Sequence, residues 1–127
     1  MRKARGDTIQ TRFECPVYGF QEMINGKYKL RIIWTLHEGP RRYGEIKKGL
    51  LRDITDGQEI APRVLSRELK TLAAFGLIER HEYQVVPPKV EYTLTPVGQK
   101  LVPIIAQMIE FGRQHLLRDA ALVTNEA

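Results

Sequence analysis

Four polar side chains lie at helical spacing on one face of a predicted helix over residues 61–76, APRVLSRELKTLAAFG. At roughly 100° per residue, Leu65, Leu69 and Leu72 fall within about 60° of one another and predict a buried stripe. The opposite face carries Arg63, Ser66, Arg67 and Lys70. Guanidinium, ammonium and hydroxyl groups hydrogen-bond guanine edges and phosphate oxygens in a DNA major groove. A basic face is also common on ordinary amphipathic helices, so the neighbouring elements matter.

Two predicted strands joined by a proline-containing loop follow this helix. They are LIERHEY over 77–83 and VEYTLT over 90–95, with QVVPPK over 84–89 between them. Gly76 ends the helix as a residue free to adopt a left-handed conformation. Pro87 and Pro88 cannot donate to a strand ladder, which assigns them to the loop. Arg80 before the loop and Lys89 at its end place positive charge beside the basic helix, which favours a phosphate contact.

Apolar spacing predicts four further helices. They cover residues 15–24, 27–37, 43–51 and 96–116. In the second of them, Leu30, Ile33, Trp34 and Leu36 are expected to face inward, and Lys27, Lys29 and Arg31 outward. Thr95 is expected to cap the last helix. The apolar stripe of that helix is wider than a small core needs, so it forms either a dimer interface or a surface folded over its own core.

Length and charge restrict the class of protein. A chain of 127 residues can bury one modest core. Residues 1–52 carry 12 Lys and Arg against 5 Asp and Glu, a balance of +7, which favours a polyanionic partner. No segment approaches the ~20 apolar residues of a membrane span. Since the N-terminus also lacks the apolar stretch of a secretory signal, we expect a cytoplasmic protein.

The residues that could support catalysis are few and scattered. His37, His81 and His115 are isolated, without metal-ligand spacing to one another or to Cys15. A Gly-rich phosphate loop and the common hydrolase and metalloprotease motifs are lacking. We therefore expect a protein that is not an enzyme and that binds no metal or cofactor.

Cys15 is the only cysteine and directly precedes a predicted helix, so no intrachain disulfide can form. One interpretation is a small buried hydrophobic residue. The other is a thiol sensor whose thiolate is stabilised by helix N–H dipoles and by basic neighbours such as Arg12. The adjacent carboxylate of Glu14 opposes that stabilisation.

Several segments together resemble the HxlR-type winged helix-turn-helix transcriptional regulators, a MarR-like group. The matching segments are Cys15-Pro16-Val17, Asn25 to Leu30, Gly39 to Tyr43 with Glu45-Ile46, the leucines of residues 61–76, Gly76 to Arg80, Val86 to Tyr92, and Leu94-Thr95 with Gly98. The resemblance covers roughly residues 14–116. It implies a mainly α fold of about five helices with a two-stranded wing. It also implies a homodimer built from the first and last helices, which binds a pseudo-palindromic operator.

The predicted interface with double-stranded DNA combines the basic helix, the wing and the preceding helix. The residues that we expect to enter the major groove are Arg63, Ser66, Arg67 and Lys70. Lys89 is expected to contact flanking phosphate or the minor groove, and Arg42 with Tyr43 to anchor the backbone. Lys27 and Lys29 either add positive charge near the duplex or only solvate their helix. We expect a basic flexible arm over residues 1–13 and a C-terminal tail over 117–127.

The expected activity is regulation of transcription, more often repression by blocking polymerase. The signal would be an oxidant or electrophile that modifies Cys15, or a small-molecule effector bound between the dimer helices. A winged-helix adaptor that binds an acidic protein is the remaining alternative.

One segment departs from the family pattern. The family usually has a short Pro-Gly-Ile-Ser type turn before the recognition helix, whereas this chain has LRDITDGQEIA over residues 51–61. The extra residues either lengthen the third helix or form a projecting loop. Asp53, Asp56 and Glu59 make the segment acidic, which would repel a phosphate backbone. Ala61 stands where an N-capping Ser or Thr is usual.

Overall fold

The computed structural model describes residues 14–116, which fold mainly as helices with one hairpin. The elements are α1 Pro16–Met23, α2 Lys29–Leu36, α3 Tyr43–Asp53, α4 Pro62–Ala74, β1 Ile78–Tyr83, β2 Lys89–Leu94, α5 Pro96–Gln99 and α6 Leu101–His115. This order agrees with the predicted architecture. The predicted arm over 1–13 and tail over 117–127 lie outside the described residues.

The hydrophobic core lies where α2 meets α3, α4 and α6. Its fully or almost fully buried side chains are Ile32, Ile33, Leu36, Ile46, Leu50, Ile60, Leu65, Leu69, Leu72, Leu77, Ile78, Leu101 and Ile105. The leucine stripe predicted for α4 is confirmed. On α2 the four predicted inward side chains are buried or packed against the core, with Leu30 and Trp34 half-buried, whereas the full burial of Ile32 was not predicted. The helix begins at Lys29 rather than Lys27, after a turn at Gly26 with φ of 117°.

The predicted final helix is divided after its first turn. Thr95 caps α5, its Oγ1 accepting a hydrogen bond from the Gly98 amide at 3.0 Å, as the sequence predicted. Lys100 then separates α5 from α6. Upstream, α3 ends at Asp53 instead of Leu51. The long connection therefore does both things that the sequence allowed, since it extends α3 and also leaves a loop before α4.

Two contacts hold the wing against the helices. β1 and β2 pair antiparallel from Ile78 opposite Leu94 to Tyr83 opposite Lys89. An isolated bridge joins β2 to the α2–α3 connection: the Arg41 amide donates to the Tyr92 carbonyl at 3.1 Å, and the Tyr92 amide to the Arg41 carbonyl at 2.8 Å. Since the donors and acceptors of both residues are satisfied, β2 is fixed beside the start of α3.

The base of the wing is closely packed around Thr95 and two glycines. The Thr95 hydroxyl donates to the Gly76 carbonyl at 2.6 Å, and the Thr95 amide donates to the Leu77 carbonyl at 3.0 Å. Gly76 has φ of 78° and ends α4 in a Schellman motif, in which the Leu77 amide donates to the Leu72 carbonyl. A Cβ at Gly98 would lie 2.1 Å from the Leu77 carbonyl oxygen, so only glycine fits there.

Candidate nucleic-acid interface

The polar face of α4 is free to bind another molecule. Arg63, Ser66, Arg67 and Lys70 are all exposed. Among the residues that the structure describes, none of these side chains has a hydrogen-bond or ion-pair partner. The leucine stripe on the opposite side anchors the helix in the core. The predicted major-groove residues thus lie together on one accessible face, with their hydrogen-bonding groups unused.

The start of α3 lies beside the start of α4. The Tyr43 hydroxyl donates to the Pro62 carbonyl at 3.1 Å, so the side chain that we expected to anchor a DNA backbone also joins the two helices. Arg42 precedes α3, and its amide donates to Glu45 Oε1 at 2.8 Å. The Arg42 side chain is exposed and has no ion pair within residues 14–116.

A shallow groove opens between the start of α3 and the wing. The residues that line it are Pro40, Arg42, Gly44, Glu45, Lys48 and Glu91. Lys48 is exposed and, within the described part of the chain, free of ion pairs, and it was not among the predicted site residues. The neighbouring Lys47 is paired with Glu59 at 3.1 Å. Nothing in the sequence indicated that one of these two adjacent lysines would be paired and the other free.

The unpaired positive charges of residues 14–116 are concentrated on the helix-turn-helix. Most lysines and arginines there lie within 4 Å of a carboxylate. The described cations without such a partner are Arg42, Lys48, Arg63, Arg67, Lys70 and Lys100. All of them except Lys100 lie on α3, on α4 or at the residue that precedes α3. Cations that no internal carboxylate neutralises are the ones available to a polyanion.

The two lysines near the start of α2 are not part of this free charge. Lys27 is paired with Asp56, which raises the pKa of the lysine and lowers that of the carboxyl. The expectation that Lys29 faces outward was wrong. Its side chain is buried, and Nζ lies 2.6 Å from Glu68 Oε1 on α4. A lysine was expected to lie in water, but this one is buried because Glu68, which is distant in the chain, neutralises its charge.

The acidic residues of the α3–α4 connection are also paired internally. Arg52 and then Arg31 lower the pKa of Asp53 by hydrogen bonding to its carboxylate, with Arg31 Nη2 at 2.5 Å from Oδ2. Together with the Lys27–Asp56 and Lys47–Glu59 pairs, these contacts offset the negative charge that we expected to repel a phosphate backbone. Ala61 makes no side-chain cap to α4, as its residue type predicts.

The wing carries less free positive charge than α4. Lys89 opens β2, with Nζ 3.6 Å from Glu91 Oε2 and 4.8 Å from the centre of the Tyr83 ring. Arg80 is paired with Glu82, which raises the arginine's pKa. Glu91 also accepts a hydrogen bond from the Tyr83 hydroxyl and raises the pKa of that phenol. A phosphate at Lys89 would therefore compete with a carboxylate that is already in place.

Cys15 is the N-cap of α1 and is exposed, so the interpretation of a buried hydrophobic residue was wrong. Its sulfur accepts a hydrogen bond from the Tyr18 amide at 3.4 Å. The thiol is therefore accessible to a reagent in solvent and lies at the N-terminus of a helix.

Apolar side chains are exposed on both α1 and α6. On α6, Leu101 and Ile105 face the core, while Ile104, Met108 and Phe111 remain about half exposed or more. Val17 on α1 is likewise exposed. The apolar stripe of α6 is thus divided, because one side packs on the chain's own core and the other is left uncovered.

Metal-binding clusters and membrane-spanning helices are both lacking in residues 14–116. No group of three or more His, Cys, Asp or Glu side chains is arranged to hold a metal ion there. None of the helices in the same range is long and apolar enough to cross a membrane.

A helix-turn-helix with an exposed polar recognition face and a β-hairpin behind it defines a winged-helix DNA-binding protein. The model of the HxlR-like helix-turn-helix family matches residues 23–120. The chain therefore belongs to that family of DNA-binding transcriptional regulators, as its motifs predicted.

Known proteins of similar sequence and structure agree with this assignment. The chain is 37% identical over 115 residues to YdeP of Bacillus subtilis (strain 168), named an uncharacterised HTH-type transcriptional regulator, covering 90% of this chain and 84% of YdeP. A structure assigned to the MarR family of transcriptional regulators, from Porphyromonas gingivalis W83, is 39% identical, with a TM-score of 0.71 and coverage of 86% and 99%. The redox regulator HypR in its oxidised form is 37% identical, with a TM-score of 0.69 and coverage of 84% and 100%.

Proposed function

We propose that this chain acts as a homodimer that binds a pseudo-palindromic operator and represses transcription by blocking polymerase. The observation that carries the proposal is the set of unpaired groups on α4. Arg63, Ser66, Arg67 and Lys70 would enter the major groove, where arginine can donate two parallel hydrogen bonds to guanine O6 and N7. Arg42, Tyr43 and Lys48 would contact phosphates beside the groove, and Lys89 would follow the flanking backbone.

The exposed apolar side chains of α1 and α6 support the dimer. Val17, Ile104, Met108 and Phe111 expose large apolar groups to water on the first and last of the described helices. Burying them against a second copy of the same surface would remove that cost, at about 25 cal/mol for each Å² covered. A two-fold axis there would present two α4 helices to half-sites about one helical turn apart.

Cys15 is proposed as the switch that an oxidant or electrophile acts on. It is exposed at the start of α1, one of the two helices that would form the dimer. HypR, which is similar to this chain in sequence and structure, is itself a redox regulator. Since each chain has one cysteine, oxidation by diamide would take two electrons and two protons from two thiols and join two subunits by a disulfide. A change at α1 would then alter the spacing of the two α4 helices.

The test is a selection from random duplex DNA with the purified, reduced protein, repeated after oxidation with diamide. We expect a palindromic motif whose half-sites lie about one helical turn apart. Binding to that motif should be lost after oxidation of the parent and retained in Cys15→Ser.

Each other outcome identifies a different error. The absence of an enriched motif in both states would refute the proposed operator-binding function and favour an adaptor that binds protein. A motif bound equally before and after oxidation would support specific DNA binding but refute the proposal that Cys15 is a thiol switch. A Cys15→Ser variant that still responds to diamide would exclude the thiol, leaving a small-molecule effector as the signal to seek.

A further inference from the structure

A buried ion pair joins the recognition helix α4 to α2. Lys29 Nζ lies 2.6 Å from Glu68 Oε1, and only 11% and 12% of the two side-chain surfaces are exposed. The other carboxylates of the α2–α4 region that form ion pairs belong to more exposed pairs, such as Lys27–Asp56 and Lys47–Glu59. Removing two charges from water is costly unless the geometry is good and further hydrogen bonds are made. A pair in this position therefore constrains the relative placement of the two helices.

The same ammonium also holds the turn that follows α1. Lys29 Nζ donates a hydrogen bond to the Asn25 carbonyl at 2.8 Å. A Cβ on Gly26, the next residue, would lie 3.6 Å from Glu68 Oε2 and 3.7 Å from Lys29 Nζ, so this turn lies directly over the pair. Lys29 thus contacts the end of α1 and the middle of α4 with a single group.

The position of Glu68 on α4 explains why this contact matters for DNA. Glu68 lies between the buried Leu65–Leu69 stripe and the exposed Arg67. Leucine packing holds α4 against the core, and the Lys29–Glu68 contact adds a polar restraint at the edge of that stripe, where a rotation about the helix axis would separate the two charges. With side chains the helix has a radius of about 5–6 Å, so a rotation of about 20° moves the tip of a side chain by about 2 Å. That displacement breaks a hydrogen bond to a base edge, which requires a donor–acceptor distance near 3 Å.

We propose that Lys29 is a positioning residue that fixes the rotation of the recognition helix α4 relative to the end of α1 through Glu68 and Asn25. The proposal rests on the DNA-binding function proposed above. It adds a residue that controls this binding from outside the surface that contacts DNA. Lys29 touches no DNA. It determines whether Arg63, Arg67 and Lys70 meet base edges or only phosphates, and it is the group through which a movement of α1 reaches them.

The test replaces both charges with apolar side chains, in Lys29→Met/Glu68→Met. Removing one partner alone would leave a buried charge and lower the melting temperature by roughly 10 °C or more, which would obscure any effect on binding. Replacing both partners avoids that cost, and we expect the melting temperature to stay within about 5 °C of the parent. The matched control is Lys47→Met/Glu59→Met, which removes a more exposed pair between α3 and the connection to α4.

Two readouts separate positioning from stability. The first is the ratio of affinities for the selected operator and for a random duplex. We expect this ratio to fall at least tenfold in Lys29→Met/Glu68→Met, with affinity for the random duplex changed less than twofold, and to remain unchanged in the control. The second is amide hydrogen exchange of residues 62–74 without DNA, which should become at least tenfold faster in the double variant only.

An unchanged affinity ratio in a variant that is as stable as the parent would overturn the proposal. If the parent itself prefers no operator, the proposed function fails, and hydrogen exchange alone then decides about Lys29. Exchange of residues 62–74 at the parental rate would in that case show that leucine packing is sufficient to hold α4.

Discussion

Arg67 is the residue on which we expect sequence-specific recognition to depend most. It lies in the middle of the exposed face of α4, it has no internal partner among residues 14–116, and its guanidinium can contact a guanine with two hydrogen bonds. We expect this role because Arg67 lies on the exposed face of the helix and has no carboxylate partner among residues 14–116. Arg80 and Lys89 lie on the strands of the wing, and each is paired with a carboxylate.

Arg67→Ala should therefore reduce affinity for the operator about tenfold or more while changing affinity for a random duplex by a smaller factor, because a good base contact discriminates by about 1–3 kcal/mol. Titration of both duplexes at one salt concentration measures the two losses. Lys100→Ala is the control for loss of one positive charge, since Lys100 is exposed and away from α4. Equal losses on both duplexes in Arg67→Ala would show that the arginine contacts only phosphate.

Gly98 illustrates a residue whose identity is required by packing. A methyl group there would lie 2.1 Å from the Leu77 carbonyl oxygen, and backbone must move to admit it. We expect Gly98→Ala to lower the free energy of unfolding by about 3 kcal/mol, the upper range for overpacking. Gly44→Ala on α3, where the added Cβ meets nothing within 4 Å, should be neutral or slightly stabilising. Denaturant unfolding of both variants compares them, and similar free energies would contradict the packing argument.

At the scale of elements, the sequence predicted more of the helices than of their connections. The period of the leucines established α4, and Gly76 and Thr95 marked the ends of the wing because turn and cap positions accept few residue types. The Lys29–Glu68 pair and the Arg41–Tyr92 bridge could not be predicted in this way. Each joins residues from distant parts of the chain, and a local pattern contains no information about which partner will be brought near.

The end of α3 should make stability depend on pH through Asp53. Its pKa is lowered below the ordinary 3.8 by Arg52 and Arg31, so the charged carboxylate stabilises the fold. This contribution is present above about pH 4 and is lost as the pH falls through the lowered pKa. Asp53→Asn should therefore lower the free energy of unfolding by about 1 kcal/mol at pH 7, as for an ion pair that keeps some contact with water.

Urea unfolding of the parent and Asp53→Asn at pH 7 and at pH 2.5 checks this expectation. The difference between the two proteins should shrink at pH 2.5, because this pH lies below the ordinary pKa of 3.8, in the range where the stability due to the charged carboxylate decreases. A difference that stays constant with pH would mean that the side chain acts through packing instead of charge.

At the scale of the whole molecule, the clustering of unpaired cations on α3 and α4 predicts how the affinity for DNA depends on salt. If a dimer contacts roughly eight phosphates, the logarithm of its affinity should fall with the logarithm of salt concentration with a slope of about −7. Between 50 and 200 mM salt this is a loss of about 10⁴-fold. Arg63→Ala should make the slope less steep, whereas Lys89→Ala should change it less, because Glu91 already neutralises Lys89. Equilibrium titrations over this range measure the slope, and a value near zero would exclude a DNA partner.

The bridge between Arg41 and Tyr92 has a consequence for how the protein is made. A ribosome synthesises α3 and α4, the proposed recognition helix, before it reaches β2, the strand that fixes the wing beside them. Until Tyr92 has emerged, the backbone groups of Arg41 lack their partners, and the nascent chain carries a recognition helix without its support. The contact also closes a long loop, which slows folding. The order of synthesis therefore delays completion of this unit until translation has passed β2.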